Sequence, residues 1–413
     1  MASELILNFS AANQLTVSFD GESSGRWYVE SYAAQYMTEI DDDRAWRIVS
    51  NFKKMGIALY KSVASASTCA ERNLIEDFLK IDEPGRLVTI QSGRPEILAL
   101  PWELLHQPDG AFLFNDNPRV SIRRNLAKLQ SEQFVNKNQP KETLRLLMLV
   151  SRPEDAGFID PRADSQAVMA AIERNGAGRI ELEFLRPGTL AALVERLENK
   201  ALPQVDILHF DGHGVFDATG AIAKQDMAHL KGFGENTGYL LFENSDGMQD
   251  PVSAERLGQL LHKQGLGMVV LSACQSSMMG QNEQSEEEGD SGAIGSVAAR
   301  FTQTGVQSVV AMSYSVLVKT TESLFGAFYG NLAQGRGIGE SLDDARRTLL
   351  TNPDRGKRQR GSEQITWKLT DWFVPTLYQL GNDVGMLLPS SSIALPENGQ
   401  EQLDDSNFPS PIG

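Results

Sequence analysis

The sequence has little cysteine. Cys69 and Cys274 are the only two cysteines among 413 residues. Two cysteines cannot form a disulfide framework, and they are too few for a cysteine-rich zinc site or an iron–sulfur cluster. We therefore expect free thiols in a reducing compartment, with no metal and no cofactor. Each cysteine is then either a packing residue or a candidate nucleophile.

Positive charge and long apolar stretches are also scarce. Lys and Arg number 38 against 54 Asp and Glu, so the net charge is -16, and such a surface repels nucleic-acid phosphates and anionic lipids. The first residues, MASELILNFSAANQ, lack the basic and apolar regions of a signal peptide. No apolar run approaches the ~20 residues of a transmembrane helix. We expect a cytoplasmic protein that binds neither nucleic acid nor membranes.

The remaining composition is that of a globular protein with more than one domain. Hydrophobic residues make up 41% of the chain, and its length predicts about two domains. The polar segment from Lys128 to Lys141 shows no burial pattern, which favours a boundary there. We therefore expect a smaller N-terminal α/β domain over 1–138 and a larger domain over 139–389. The Ser- and Pro-rich tail over 390–413 is expected to be disordered.

The larger domain alternates apolar strands with helical segments. Leu144–Val150, Val205–Phe210 and Gly267–Ser272 are apolar runs typical of buried parallel strands. Asp164 is a suitable N-cap for the helix after the first of them. This alternation predicts an α/β fold with a doubly wound, mostly parallel sheet flanked by helices. In such sheets, functional residues gather beyond the carboxyl ends of the strands.

Two of these strands end in chemically reactive side chains. The strand that ends at Phe210 is followed by the turn Asp-Gly-His213-Gly214, and the strand that ends at Ala273 is followed by Cys274. If the two strands are neighbours, about 4.8 Å apart, the imidazole and the thiol face each other. The imidazole then accepts the thiol proton and makes the sulfur a nucleophile. The backbone amides of Gly214 and Cys274 are suited to stabilise an oxyanion.

Other chemistry is less well supported by the residues. His209 lies inside an apolar strand, where a hydrogen-bonded core histidine is expected, and Cys69 lies on a predicted helix, where packing is expected. A metal hydrolase that uses His209, Asp211 and His213 is a weaker alternative because a third histidine is missing nearby. A protein that keeps the fold but serves as an interaction module, without effective catalysis, is the main alternative to an enzyme.

Several segments resemble one group of peptidases. HFDGHG and VVLSACQSS are similar to the histidine and cysteine motifs of clan CD cysteine peptidases, which include caspases, metacaspases, separases and CHAT-domain proteases. The resemblance is greatest to the CHAT-domain proteases and extends from Val88 to Gly381. The further segments that carry it are LPWELLHQPDGAFLF, LLMLVSRPEDAGFID, GVQSVVAMSY, FGAFYGNLAQG and SLDDARRTLL.

The resemblance implies a caspase-like fold and a cysteine endopeptidase that cleaves protein substrates through a thioester acyl-enzyme. It maps the general base onto His213, the nucleophile onto Cys274, and the oxyanion hole onto the amides of Gly214 and Cys274. These assignments agree with the interpretation based on the residues alone. Residues 139–389 then correspond to the peptidase domain, and 1–138 to a degenerate caspase-like half without its own His/Cys pair.

The preference for P1, the substrate residue before the scissile bond, stays open. Relatives that cut after arginine carry an acidic residue after the last core strand, but here this segment reads SYSVLV from Ser313 and has no carboxylate. Asp155 and Asp211 are further candidates for the specificity pocket, although each is equally consistent with a solvated loop residue. Ser272 is a small side chain at the expected pocket floor. We therefore expect either a basic or a medium-sized apolar P1 side chain.

Two polar segments suggest regulation. One is an acidic stretch shortly after the candidate nucleophile, for which a solvated surface loop is the alternative, and the other is a Gly-flanked basic stretch expected to form an exposed loop. Their candidate activation residues are Glu286, Glu287, Glu288, Arg355, Arg358 and Arg360. The chain lacks the tetratricopeptide repeats with which many relatives sense partners. We therefore expect a latent protease, activated by cleavage in 281–291 or 353–362 by an upstream protease, or by a regulatory protein. The resemblance also implies a role in bacterial defence, including CRISPR-linked protease cascades.

Overall fold

A computed structural model of the chain describes the greater part of its 413 residues. The described residues are 3–10, 14–25, 27–28, 49–125, 139–158, 162–175, 178–217, 237–273, 290–313, 318–360, 363–383 and 385–389. Cys274, the acidic residues Glu286–Glu288, most of the expected domain boundary and the C-terminal tail lie outside these ranges.

Strands and helices alternate over the described chain. The strands are β1 Glu4–Phe9, β2 Gln14–Phe19, β3 Glu22–Ser23, β4 Trp27–Tyr28, β5 Thr68–Cys69, β6 Arg72–Asn73, β7 Arg86–Ser92, β8 Val120–Asn125, β9 Leu144–Val150, β10 Ile180–Leu185, β11 Ile207–Asp217, β12 Thr237–Glu243, β13 Gln249–Ser253, β14 Met268–Ala273, β15 Ser308–Met312, β16 Asp354–Arg360, β17 Glu363–Lys368 and β18 Pro375–Gln379. The α-helices are α1 Val49–Ala66, α2 Leu74–Leu79, α3 Pro95–Leu98, α4 Ala163–Asn175, α5 Leu190–Glu198, α6 Ala254–Lys263, α7 Asp290–Gln303, α8 Val318–Leu332 and α9 Ile338–Thr351.

Most of the strands join in one mixed sheet. Its order is β10-β9-β11-β14-β15-β18-β8-β7-β1-β2-β3, and β12 and β13 form a hairpin attached to β11. The strands β10, β9, β11, β14 and β15 run parallel to their neighbours, whereas β18 is antiparallel to β15. Helices pack on this sheet, so the predicted α/β class with a mostly parallel sheet is confirmed.

The central strands are apolar because helices cover the sheet. Every residue of β15 is buried, and β9 is buried except at Arg145. The helices pack in pairs, α4 against α8 and α6 against α7. A strand covered on both faces shows a continuous apolar run rather than alternation, which explains the pattern of the sequence. Among the described helices, none combines the length and the apolar character needed to cross a membrane.

The N-terminal strands extend the same sheet. β8 is paired with β18, and β7, β1 and β2 follow β8. A buried carboxylate, Glu103, forms ion pairs with Arg124 of β8 and with Arg346 of α9. One sheet and one ion-pair network therefore connect the two expected domains. The segment over 126–138, where the boundary was expected, lies outside the described residues.

The basic segment that was expected to be an exposed loop is a β-hairpin. β16 pairs with β17 in antiparallel fashion. Arg355 is 5% exposed, and its guanidinium donates to the two carboxylate oxygens of Asp371 at 3.0 and 2.6 Å. The expectation of an exposed Arg355 is therefore wrong, because its carboxylate partner buries it against the body of the protein. Arg358 and Arg360 lie further along the same strand.

Candidate active site

The strand that carries His213 is next to the strand that leads to Cys274. β11 pairs with β14 in parallel, and Gly212 lies opposite Ala273. His213 directly follows Gly212 in the sequence, and Cys274 directly follows Ala273. The two strands are therefore neighbours, which is the condition for the candidate dyad, while Cys274 itself lies outside the described residues.

The imidazole of His213 is buried and oriented by the main chain. It is 5% exposed, and Nε2 lies 2.8 Å from the carbonyl oxygen of Gly157. A carbonyl oxygen only accepts hydrogen bonds, so Nε2 carries the proton and the lone pair is on Nδ1. Burial lowers the pKa of His213, the Gly157 hydrogen bond opposes this effect, and the charge of Arg152 lowers the pKa further. His213 is therefore neutral near pH 7, which is the form that accepts a proton.

β11 continues beyond the parallel part of the sheet and brings His213 into a second pairing. There, His213 lies opposite Leu241 of the antiparallel strand β12. Gly212 precedes this pairing, and a Cβ atom at Gly212 would lie 2.7 Å from Cε1 of Phe210. Any other residue would displace the buried Phe210 ring, so the close packing before His213 favours glycine.

Two carboxylates that were candidates for the specificity pocket bind groups of this chain. Oδ1 of Asp211 accepts a hydrogen bond from Nη2 of Arg152 at 2.7 Å. Oδ1 of Asp155 accepts one from the amide of Gln249 at 2.8 Å. Ser313 is partly exposed, and its backbone amide donates to the carbonyl oxygen of Val374, just before β18, at 3.0 Å. These contacts give Asp155 and Asp211 structural partners, and a role for either in substrate recognition stays a prediction.

A buried carboxylate, Asp164, lies behind the strand that leads to the cysteine. It is 4% exposed in the first turn of α4, and it accepts hydrogen bonds from the hydroxyls of Ser272 and Thr321. Burial raises the pKa of Asp164, and the two hydroxyl bonds oppose the rise. Ser272 is two residues before Cys274. The sequence suggested only a helix cap for Asp164, because its partner Ser272 is 108 residues away along the chain.

His209 is the expected core histidine. It is fully buried, and Nδ1 lies 2.9 Å from the hydroxyl oxygen of Tyr329. Burial lowers the pKa of His209 to about 3, so the imidazole is neutral. Nε2 lies 3.9 Å from a carboxylate oxygen of Asp164 and has no hydrogen-bond partner among the described residues. His209, Tyr329 and Asp164 thus form a buried polar cluster beside Ser272.

The residues of the alternative metal site bind three different groups. His209 contacts a hydroxyl, Asp211 a guanidinium and His213 a carbonyl oxygen. Within the described ranges, no group of three or more His, Cys, Asp or Glu side chains is arranged to hold a metal ion. Each of the three side chains is therefore engaged by a different group of this chain.

A mostly parallel sheet with a buried, neutral histidine beside the strand that leads to a cysteine defines an α/β protein with a candidate His–Cys site. The family described as the CHAT domain matches residues 53–372 of the sequence. The chain therefore belongs to the CHAT-domain family. No curated protein matches it in sequence.

Solved structures of cysteine proteases are similar to the chain at low identity. The crystal structure of the Arg-specific cysteine proteinase gingipain R has a TM-score of 0.39 and 11% identity, over 86% of this chain and 75% of that chain. The complex of Porphyromonas gingivalis RgpB pro- and mature domains has a TM-score of 0.43 and 10% identity, over 87% and 78%. The Saccharomyces cerevisiae separase–securin complex has a TM-score of 0.37 and 12% identity, over 71% of this chain but only 15% of that chain. All three likenesses are distant, and family membership rests on the CHAT-domain match.

Proposed function

We propose that this protein is a cysteine endopeptidase in which His213 is the general base and Cys274 the nucleophile. The observation that carries the proposal is the register of β11 and β14, in which the residue before His213 lies opposite the residue before Cys274. Neighbouring parallel strands are ~4.8 Å apart, which supports a proton transfer from the thiol to the imidazole. The neutral imidazole with its proton on Nε2 is the form that this transfer requires.

In the proposed reaction, Nδ1 of His213 takes the proton from Sγ of Cys274, and the thiolate attacks the carbonyl carbon of the scissile bond. The amides of Gly214 and Cys274 stabilise the negative oxygen that forms. The C–N bond then breaks, the imidazolium gives its proton to the leaving amine, and a thioester remains. A water molecule that loses its proton to His213 hydrolyses the thioester, and the cysteine returns to its starting form.

Replacement of the dyad tests this proposal. We expect the wild-type protein to cleave members of a peptide library, and Cys274→Ala and His213→Ala to reduce turnover by roughly a thousandfold or more. The matched control is Cys69→Ala, which removes the other cysteine. Within the described structure, the Cys69 thiol makes one hydrogen bond, to the carbonyl oxygen of Ser23 at 3.4 Å. Wild-type turnover in Cys274→Ala would contradict the proposal.

The alternative proposal is an interaction module with the same fold. Alkylation with iodoacetamide distinguishes a working protease from an interaction module, because a thiolate reacts with this reagent much faster than a neutral thiol does. A working dyad makes Cys274 react far faster than Cys69, and His213→Ala removes this difference. Equal reaction rates at the two cysteines would favour the interaction module.

For the substrate, we propose a basic P1 side chain. Asp164 is hydrogen-bonded to Ser272 at the expected pocket floor. The charge of Arg152 acts on Asp164 from a distance, but among the described residues no lysine or arginine pairs directly with its carboxylate. A buried carboxylate without a cation partner is costly, and a cationic P1 side chain would supply the partner.

Asp164→Asn tests the P1 proposal because it removes the charge and keeps the shape. We expect a roughly tenfold or greater loss of kcat/KM on Lys or Arg P1 substrates, with little change on apolar ones. A wild-type profile dominated by medium-sized apolar P1 residues would contradict a basic preference and favour the other expectation.

We also propose that the protease is latent in the intact chain and is activated in the cytoplasm by an upstream protease or a regulatory protein, as in a bacterial defence cascade. A protease reaches exposed residues more readily than buried ones. Within the basic hairpin, we therefore expect cleavage after the exposed Lys357 rather than after the buried Arg355. Mild trypsin treatment, with the cut sites read by mass spectrometry, is expected to raise peptide turnover. Full activity of the intact chain would contradict latency.

A further inference from the structure

One arginine contacts both the strand that carries His213 and the loop that orients it. Arg152 follows the carboxyl end of β9, and its side chain is 16% exposed. Gly157, whose carbonyl oxygen binds His213, lies further along the same loop. Arg152 therefore begins the segment on which the orientation of His213 depends.

The guanidinium of Arg152 binds Asp211 in two ways. Nη1 donates to the main-chain oxygen of Asp211 at 2.6 Å, and Nη2 donates to Oδ1 at 2.7 Å. Nη1 also donates to the carbonyl oxygen of Ser151 at 2.8 Å. A planar guanidinium makes such paired bonds in a fixed geometry, which a single ammonium group cannot. Asp211, two residues before His213, is thus held by its main chain and by its side chain.

The loop itself is attached to the β12–β13 hairpin. The amide of Arg152 donates to Oε1 of Glu243 at 2.7 Å, and Oε2 of Glu243 accepts from the amide of Gly188 at 3.2 Å. Further along, the amide of Glu154 donates to the carbonyl oxygen of Gly247 at 2.9 Å. The loop is therefore fixed to the hairpin on one side and to β11 on the other, with Arg152 in both sets of contacts.

We propose that Arg152 is a positioning residue for His213, because its paired bonds to Asp211 and its bond to Ser151 hold β11 against the loop that reaches Gly157. Its effect on catalysis rests on the proposed function. Its effects on the geometry and titration of His213 can be measured whether or not the protein cleaves peptides.

Two charge effects act on His213 in the same direction. Arg152 adds to the effect of burial in lowering the pKa of His213. It also neutralises Asp211, whose carboxylate, if left without its cation, would favour the imidazolium form. The loop between Arg152 and Gly157 also carries Glu154 and Asp155. The neighbouring elements add Glu243 on β12, which binds the amide of Arg152, and Asp164 on α4. Removal of the Arg152 charge is therefore expected to raise the pKa of His213.

The test compares Arg152→Gln, which removes the charge, with Arg152→Lys, which keeps the charge but not the planar fork. NMR titration of the full-length protein follows His213, whose resonance is identified among the five histidines by its loss in His213→Gln. We expect Arg152→Gln to raise the pKa of His213 and Arg152→Lys to leave it low. In peptide cleavage, both variants are expected to lower kcat about 10- to 100-fold with KM little changed, because the base is displaced.

Arg145→Gln is the matched control, since Arg145 also pairs with a carboxylate, Glu181, but near the start of β9. It is expected to leave the titration and the turnover unchanged. An unchanged His213 titration in Arg152→Gln overturns the proposal. If Arg152→Gln does not fold, as judged by circular dichroism, a folded Arg152→Lys with wild-type kcat overturns it and one with reduced kcat supports it. A wild-type protein that cleaves no peptide after activation contradicts the proposed function, while the titration still decides the role of Arg152.

Discussion

At the scale of single residues, two buried histidines have different roles because their surroundings differ. Burial lowers the pKa of both His209 and His213. His209 lies inside the sheet and contacts the hydroxyl of Tyr329, whereas His213 lies at the end of the parallel pairing and donates to the carbonyl oxygen of Gly157. Both histidines are neutral, so their protonation state does not distinguish them. The core histidine and the candidate base differ in their position relative to the strand ends.

The pH dependence of turnover follows from the lowered pKa of His213. A general base must be unprotonated, so kcat/KM falls as the pH drops through the pKa of His213 in the free enzyme. We expect this acid limb below the ordinary histidine value of about 6.5. The measurement is a pH profile of kcat/KM in Asp164→Asn, because burial also raises the pKa of the Asp164 carboxyl group and its titration would overlap with that of His213. An acid limb at or above pH ~6.5 would contradict the buried, neutral imidazole.

Substitution of Asp155 distinguishes a structural role from a role in specificity. Asp155→Ala removes the acceptor for the amide of Gln249 and loosens the loop that reaches Gly157, so we expect a roughly tenfold lower kcat/KM. Asp155→Asn keeps an oxygen acceptor and is expected to stay within about twofold of wild type. The measurement is kcat/KM on substrates with basic and with apolar P1 residues. An equal loss in both variants, confined to basic P1 substrates, would instead make Asp155 a specificity residue.

At the scale of secondary-structure elements, segments that resemble the CHAT-domain proteases meet in a buried ion-pair network. Glu103, in the LPWELL segment, binds Arg124 of β8 through both carboxylate oxygens at 2.5 and 2.8 Å. It also binds Arg346 of α9, in the SLDDARRTLL segment, at 3.3 Å, and Arg346 binds Asp343 at 2.6 Å. A short turn, a strand and a helix are therefore joined by charges that are shielded from water.

Loss of the central carboxylate is expected to destabilise this junction. Glu103→Gln leaves Arg124 and Arg346 buried without the Glu103 charge, and breaking a buried ion pair in this way costs about 3–5 kcal/mol. The free energy of unfolding in urea measures the effect. The control is Glu322→Gln, which removes a partly exposed pair with Lys319 and is expected to cost less than about 1 kcal/mol. Similar losses in the two variants would contradict a structural role for the buried network.

At the scale of the whole molecule, stability depends on groups that the fold keeps neutral. His209 has a pKa of about 3 in the folded protein, against about 6.5 in the unfolded chain. Between these pH values the unfolded chain binds the extra proton, so the free energy of unfolding decreases as the pH falls below about 6.5. The contribution of His209 is fully present above that pH and is lost towards pH 3.

Comparison with His209→Gln isolates this contribution. The wild-type protein is expected to lose stability relative to the variant by up to about 1.4 kcal/mol per pH unit between pH ~6.5 and ~4.5, measured by urea unfolding. The comparison with His209→Gln is needed because burial also raises the pKa of Asp343 to about 6. Titration of Asp343 changes the free energy of unfolding in the opposite direction to titration of His209. The neutral form of Asp343 is favoured in the fold, so its contribution grows as the pH falls below about 6. Parallel stability curves for the two proteins would contradict the buried neutral His209.

Much of the fold and part of the site follow from local patterns. Apolar runs such as Leu144–Val150 predict buried strands because only a covered strand can be apolar on both faces. The two strand ends predict a histidine beside the strand that leads to Cys274, and the pairing of β11 with β14 agrees. The partners of Asp164 and Arg355 could not be predicted, because no local pattern specifies which distant side chain a buried charge will meet.

The sequence by itself determined the class of fold, the alternation of apolar strands with helices in the larger domain, and the two residue types that can form a nucleophile and its base. These properties follow from the periodicity of apolar residues and from short motifs. Only the tertiary structure decided that Gly157 orients His213, that Arg152 binds Asp211, and that a carboxylate lies behind Ser272. Such contacts join residues far apart in the chain, and they exist only after the strands have packed and water has been excluded from the groups between them.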